Sequence, residues 1–214
     1  ANCYNNLGAV LCEKGELDLA QDCCQKALEI QEKQLGSNHV DVATTCNILG
    51  AVYFHGGELD LAQDCCQKGL EIQEKQLGSN HVDVATSCDI LGAVYFKRNE
   101  LDLAKDCYQR ALEIREKQLG RNHVDVATSC NILGAVYSKR NELDLAKDYY
   151  QRALEIREKH LAPNHADIAN SYSNLGLVYF KKGELDLAKD CHQRALEIRE
   201  KQLGTNDVHV ANST

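Results

Sequence analysis

Apolar residues along the chain recur at helical spacing. Val42, Cys46, Leu49, Val52 and Tyr53 fall on one stripe of a helix, and a second stripe comes next at Leu59, Ala62, Cys66, Gly69, Leu70 and Leu77. Between the stripes stands Gly57, and Gly15, Asn99, Asn141 and Gly183 hold the equivalent places. Only Gly or Asn appears there, the residues that tolerate a left-handed backbone just past a helix C-terminus. The second helix is expected to stop near Gly36, Gly78, Gly120 and Gly204, and at Ala162-Pro163, where proline cannot continue it. Asp41 sits in the first turn of a first helix, where a carboxylate favours the positive end of the helix dipole. His39, His81, His123 and His165, each in Asn-His-x-Asp, stand where a first helix begins and are expected to cap it.

The pattern is a repeat. Leu-Gly recurs at Leu7-Gly8, Leu49-Gly50, Leu91-Gly92, Leu133-Gly134 and Leu175-Gly176, always 42 residues apart, so five units fill 210 of the 214 residues. Residues 1–42 and 43–84 match at 33 of 42 positions, and 85–126 and 127–168 at 34 of 42. The expected organisation is one array over 1–214 without separate domains: units 1–42, 43–84, 85–126, 127–168 and 169–210, then the start of a sixth first helix at Val208–Thr214. A pair of helices this short cannot bury its stripe alone, so neighbours must stack on it. Gly50, Ala62 and their equivalents suit close helix approach. Gly69 replaces the Ala at Ala27, Ala111, Ala153 and Ala195, a change worth roughly 0.5–1 kcal/mol inside a helix, which marks the second unit as the loosest.

At this point the pattern resembles the tetratricopeptide repeat: Leu49, Gly50, Tyr53 and Ala62 match its L-G-x2-Y…A skeleton. The 42-residue period, the phrase His-Val-Asp-Val-Ala-Thr and the phrase Tyr-Gln-Arg-Ala-Leu-Glu-Ile-Arg-Glu-Lys-Gln-Leu-Gly look like the kinesin-light-chain-like and nephrocystin-like variety. The resemblance implies an all-α, right-handed α-solenoid of stacked antiparallel helix pairs, with first helices lining a concave groove. The inward rows are then expected to include Thr44, Thr86 and Thr128; Asn5, Asn47, Asp89, Asn131 and Ser173; Ala9, Ala51 and Ala93; and Phe54, Phe96 and Phe180. Exposed Asn can pair with a peptide backbone without demanding one sequence, and the Phe residues offer apolar pockets. Asn5, Asn47 and Asn131 match the groove asparagines of kinesin-light-chain arrays. Behind them lie Glu13, His55, Lys97, Lys139 and Lys181, and the lysine ladder is expected to prefer an acidic peptide.

Composition narrows the chemistry. Net charge is −8, from 24 Lys+Arg and 32 Asp+Glu, against a nucleic-acid or anionic-membrane partner. The deficit lies in the first two units: residues 1–42 hold 3 basic and 7 acidic side chains, and 43–84 hold 2 and 6. No stretch of eighteen apolar residues spans a membrane and no signal peptide opens the chain, so eleven cysteines read as reduced thiols of a cytoplasmic protein. Most of them replace aromatic or apolar packing residues, as Cys24 and Cys66 stand where Tyr108 and Tyr150 do. The histidines recur once per unit and do not converge as zinc ligands must, and the adjacent Cys23-Cys24 and Cys65-Cys66 point apart on a helix. No metal, cofactor or catalytic residue is expected, since phosphate loops and nucleophile motifs are missing. The expected function is a non-catalytic scaffold holding an extended peptide or partner segment in the groove. The rivals are head-to-tail self-association, because the ends of the chain look like internal repeat surfaces, and the sensor array of a larger nucleotide-binding protein, since the chain lacks an initial Met and reads as an excerpt.

Overall fold

In a computed structural model the two stripes become two helices, five times over. They are α1 (Asn2–Glu13) and α2 (Leu17–Leu35), α3 (Val40–Gly56) and α4 (Leu59–Leu77), α5 (Val82–Lys97) and α6 (Leu101–Leu119), α7 (Val124–Lys139) and α8 (Leu143–His160), then α9 (Ala166–Lys182) and α10 (Leu185–Ala211). The structure describes the backbone of residues 1–211 and the side chains of residues 1–202. Odd-numbered helices are the first helices of each pair and even-numbered helices the second. Two compact units are distinguished, Ala1–Gln118 and Leu119–Thr214.

The same turn closes every pair. Gly15, Gly57 and Gly183 have φ of 78°, 83° and 79°, and Asn99 and Asn141 take 64°. The N–H of the residue beyond reaches back to the last turn: Glu16 to Leu11, Glu58 to Tyr53, Glu100 to Tyr95, Glu142 to Tyr137 and Glu184 to Tyr179, each at 2.9 Å. That is the Schellman arrangement, which satisfies carbonyls the helix end would otherwise orphan. At the other end, His39, His81, His123 and His165 accept a hydrogen bond on Nδ1 from the backbone N–H of Asp41, Asp83, Asp125 and Asp167 at 3.1–3.2 Å. The expected cap is therefore present, made through the histidine ring.

Within each pair the helices meet at the Leu-Gly glycine. A Cβ on Gly8 would lie 2.6 Å from Cys24 Sγ, and one on Gly50 would run into Cys66 Sγ. On Gly92 it would meet the Tyr108 ring at 2.9 Å, and on Gly134 the Tyr150 ring at 2.8 Å. The carbonyls of Ala20 and Ala62 stand 3.3 Å from the Gly8 and Gly50 positions. Packing continues outward into layered cores. In the first unit Cys24, Leu49, Val52, Tyr53 and Val94 form one cluster, and Cys66, Leu70, Cys88, Leu91 and Ile114 another. In the second, Tyr150, Leu154, Ile168, Leu175 and Val178 pack together.

Two expectations are corrected. Gly69 is not simply a weak point: a Cβ there would stand 2.5 Å from Asn47 Oδ1 and 3.1 Å from the Ala43 carbonyl, so the missing methyl is space that Asn47 occupies. The stop expected at Gly204 does not occur, and α10 continues to Ala211. In the other units a histidine stands just past the stop and caps the next helix; Asp207 holds this position, and since Asp is itself a favoured cap the substitution does not account for the continuation. The rest of the expected sixth helix, residues 212–214, lies outside the described residues.

Replacing Gly134 with Ala drives a methyl into the Tyr150 ring. We expect a loss of about 1–3 kcal/mol, read as a lower urea midpoint for the full chain with helical circular dichroism retained below the transition.

Candidate functional site

The Asn row expected on the groove surface lies deeper. Asn5 and Asn47 are 6% and 7% exposed. Asn5 Nδ2 donates to Thr45 Oγ1 at 2.7 Å, and Thr45 donates to Gln31 Oε1 at 2.5 Å. Asn47 repeats this one unit on, donating to Ser87 Oγ at 2.6 Å, while Ser87 donates to Gln73 Oε1. Each rung joins a first helix, the first helix of the next unit, and the second helix between them. In the third unit Asp89 replaces the Asn, Arg115 replaces the Gln, and the two form a half-buried ion pair. Burial raises the Asp89 carboxyl while Arg115 pulls it down. In the fourth, Arg157 donates to Ser171 Oγ at 2.7 Å, and its buried guanidinium is held below its ordinary pKa by desolvation. Asn131 accepts from Asn174 Nδ2 at 2.8 Å, and Ser173 Oγ from Arg199 at 3.1 Å. Asn5, Asn47 and Asn131 thus couple neighbouring repeats, whereas Asp89 and Ser173 bond to the second helix of their own pair, because a buried polar group must find a partner.

The remaining predicted residues divide. Lys97 lies with Nζ 4.6 Å from the Phe54 ring centroid and donates to the Phe54 carbonyl at 2.9 Å. Lys181 donates to the Ser138 carbonyl and hydroxyl at 3.3 and 3.0 Å. Both tie down the end of the preceding first helix, where a cation favours the negative end of the dipole. Lys139 stands at the same register, also exposed. Phe54 and Phe96 are half-buried, whereas Phe180 is 64% exposed.

Two adjoining cavities open on the first-helix face of Ala1–Gln118. One, of about 420 Å³, lies among α1, α3 and α5, bordered by Ala9, Cys12, Glu13, Thr44, Asn47, Ile48, Ala51, His55, Gln73, Asp83, Thr86 and Ile90. The other, about 310 Å³, lies between α1 and α3, bordered by Asn2, Asn5, Asn6, Gln31, Asp41, Thr44 and Ile48. Thr44 and Ile48 belong to both, so the cavities are contiguous. The open line along α3 is 44, 48, 51 and 55, whereas the line expected from the repeat skeleton was 44, 47, 51 and 54. At about 100° per residue the two lines share Thr44 and Ala51 and diverge at the others. Asn47 bonds Ser87 of the next repeat and still borders the larger cavity, Ile48 and His55 join it there, and Phe54 does not. Ile48, Ile90, Gln31, Gln73 and Asp83 are lining residues absent from the expected rows. For Ile48 and Ile90 the signal was the helical period itself, continued from Thr44 and Thr86 by four instead of three; Gln31, Gln73 and Asp83 lie off those rows.

Among the described residues no three His, Cys, Asp or Glu side chains converge to hold a metal ion. All eleven cysteines are free thiols. Burial pushes Cys24 up to about 11 and Cys66 and Cys88 up to about 12, away from the thiolate that reacts. Among the described residues no helix is long and apolar enough to cross a membrane.

Ten helices in repeated antiparallel pairs, with no strand among the described residues, define an all-α helical repeat solenoid. The tetratricopeptide repeat family matches residues 1–50, 44–117, 86–159 and 167–214, and the chain belongs to that family. BtubC (BKLC) from P. vanneervenii has a similar structure, with TM-score 0.83 and 26% identity over 92% of this chain and 79% of that one. Kinesin-light-chain-like, nearly identical TPR-like repeats from Podospora anserina superpose with TM-score 0.81 at 21% identity, covering 94% and 95%. MamA does so with TM-score 0.66 at 25% identity, covering 92% and 96%. The resemblance to kinesin-light-chain-like repeats thus holds for the fold. No curated protein sequence matches the chain.

Thr45→Val keeps the shape of the first rung but removes its hydroxyl, leaving Asn5 Nδ2 and Gln31 Oε1 buried without partners. We expect a loss of about 2–4 kcal/mol, checked by urea unfolding, with Asn5→Leu in the same background recovering part of it.

Proposed function

We propose that the chain is a non-catalytic scaffold that holds an extended segment of a partner protein against the first-helix face of residues 1–118. The observation that carries this reading is the pair of contiguous cavities sharing Thr44 and Ile48. Their lining combines amides, which pair with main chain of any sequence, with small and branched apolar walls at Ala9, Ala51, Ile48 and Ile90. The buried rungs support the same reading, since they hold α1, α3 and α5 in register before any ligand arrives, so less ordering accompanies binding. Asn5 and Asn47 border the cavities and serve both roles. In Leu119–Thr214 the exposed Phe180, beside the exposed Leu177, offers an apolar anchor of its own. The free-thiol state of the cysteines fits a reducing, cytoplasmic setting.

Ala51→Arg fills the larger cavity from its wall. Captured peptides from a random library are expected to lose at least about tenfold in affinity with this variant and to keep it with Lys68→Ala on the outer α4. Equal loss with both variants, or with neither, counts against the groove.

Self-association is the second reading, favoured by apolar residues that are open at one position and covered at its equivalents. Leu7 and Val10 are 48% and 51% exposed, where Leu49 and Val52 are 5% and 2%. Leu196 is 55% exposed, where Leu70, Leu112 and Leu154 lie at or below 6%. Stacking α10 of one copy on α1 of another would restore the internal packing. Sedimentation should then show concentration-dependent dimers that Leu7→Lys abolishes; a monomer at high micromolar concentration sinks this reading.

A further inference from the structure

The smaller cavity holds a polar group that the chain itself leaves unmatched. Six of the seven residues bordering it are polar, Ile48 being the exception, and neither lysine nor arginine is among them. They come from one end of the stack: the start of α1, the last turns of α2 and the start of α3. Gln31, from α2, is 1% exposed and is held on one side only. Thr45 accepts from Asn5 Nδ2 at 2.7 Å and donates to Gln31 Oε1 at 2.5 Å, while Gln31 Nε2 has no hydrogen-bond partner. A buried donor left unmade carries the full cost of its lost hydration, so such groups are uncommon in folded proteins. With Oε1 taken by Thr45, Nε2 is the atom left for a ligand.

The surroundings narrow what that ligand group can be. Lysine and arginine side chains have no acceptor to offer Nε2. A carboxylate accepts, but Asp41 borders the same cavity and no cation there offsets a second negative charge. An aliphatic side chain leaves the donor unmade. A carboxamide accepts on its oxygen, carries two N–H groups for the amides, hydroxyl and carboxylate around it, and has no charge. The fourth repeat shows the other setting of this position. Arg157 stands at the place of Gln31, with Asn131 at that of Asn5, and donates to Ser171 Oγ and the Asp167 carbonyl, the counterparts of Thr45 and Asp41. One frame thus carries a charged donor there and a neutral one here.

We propose that the α1–α3 cavity selects an asparagine or glutamine side chain of the bound segment, with Gln31 Nε2 donating to its carboxamide oxygen. This rests on the groove reading above. The ligand amide extends the rung that runs from Asn5 through Thr45 to Gln31, and the acid of the same shape is what the cavity turns away.

The test pans a phage-displayed random dodecapeptide library on the full chain, then measures synthetic copies of the selected peptides by fluorescence anisotropy. Asn or Gln should be enriched at one peptide position. Changing that residue to the corresponding acid, or to leucine, should weaken binding to the parent chain by about tenfold. Gln31→Met keeps the length of the side chain and leaves the Thr45 hydroxyl the Asp41 carbonyl at 3.1 Å. With that variant the amide and leucine peptides should bind alike. Gln31→Arg installs the Asn–Arg pair that Asn131 and Arg157 already form in the fourth repeat, and it should erase the advantage of the amide over the acid. Helical circular dichroism establishes that each variant is folded, and Gln31→Arg carries the comparison should Gln31→Met unfold. Peptides that lose affinity with Ala51→Arg yet show no amide preference, or keep it with the folded Gln31 variants, overturn the inference and leave the groove standing. Peptides indifferent to Ala51→Arg, or no selection at all, overturn both.

Discussion

The contact on which the rest depends is the bare backbone of one glycine per unit pressed against a side chain of the second helix. Gly8 and Gly50 face Cys24 and Cys66, and Gly92, Gly134 and Gly176 face Tyr108, Tyr150 and His192. Because no Cβ stands between, each hairpin closes to the distance at which its stripes share one core. A ring and a thiol differ greatly in volume, yet both pack on the same backbone. Where the partner is a thiol it is buried: Cys24 and Cys66 are packing groups with thiols held protonated. The Schellman turn after each first helix then fixes the direction in which the second returns.

Stacking of one hairpin on the next uses polar chemistry as well as apolar area. The rungs from Asn5 through Thr45 to Gln31, and from Asn47 through Ser87 to Gln73, place hydrogen bonds where a mis-registered stack would leave amides unpaired. Such networks penalise the wrong register more than they stabilise the right one. The change from Asn with Gln to Asp89 with Arg115 keeps the rung while turning a neutral amide contact into a charged one. With Gln retained, Asp89 would be a half-buried carboxylate lacking its Arg115 counter-ion. The two substitutions are physically one. Arg157 presents the case in which only half the exchange is made: with Asn131 in place of Asp, the guanidinium turns to Ser171 and the Asp167 carbonyl.

These couplings decide which residues remain for a ligand. In Ala1–Gln118 the side chains of Asn47 and Lys97 are spent on joining repeats, on Ser87 and on the Phe54 carbonyl. Those left over along the 44, 48, 51 and 55 line form the opening. The first two units also keep glutamines where later units carry arginines, at Gln31 and Gln73 against Arg115, Arg157 and Arg199. No lysine or arginine borders the larger cavity there.

The sequence by itself determined the helices, their pairing and their ends. Five near-copies of a 42-residue pattern, with Gly or Asn at each left-handed turn and His before α3, α5, α7 and α9, are local instructions that short-range sterics and hydrogen bonds carry out. Only the long helix through Gly204 departs from them. What surface remains open is not a local property. Asn5, Asn47 and Lys97 read as groove residues because helical phase places them near the right face. Whether an amide or ammonium is free depends on the hydroxyl or carbonyl about 40 residues away that the stacking brings within 3 Å. Only the tertiary structure decided that, because a buried polar group takes the partner that packing supplies, and the periodicity of its own helix cannot name it.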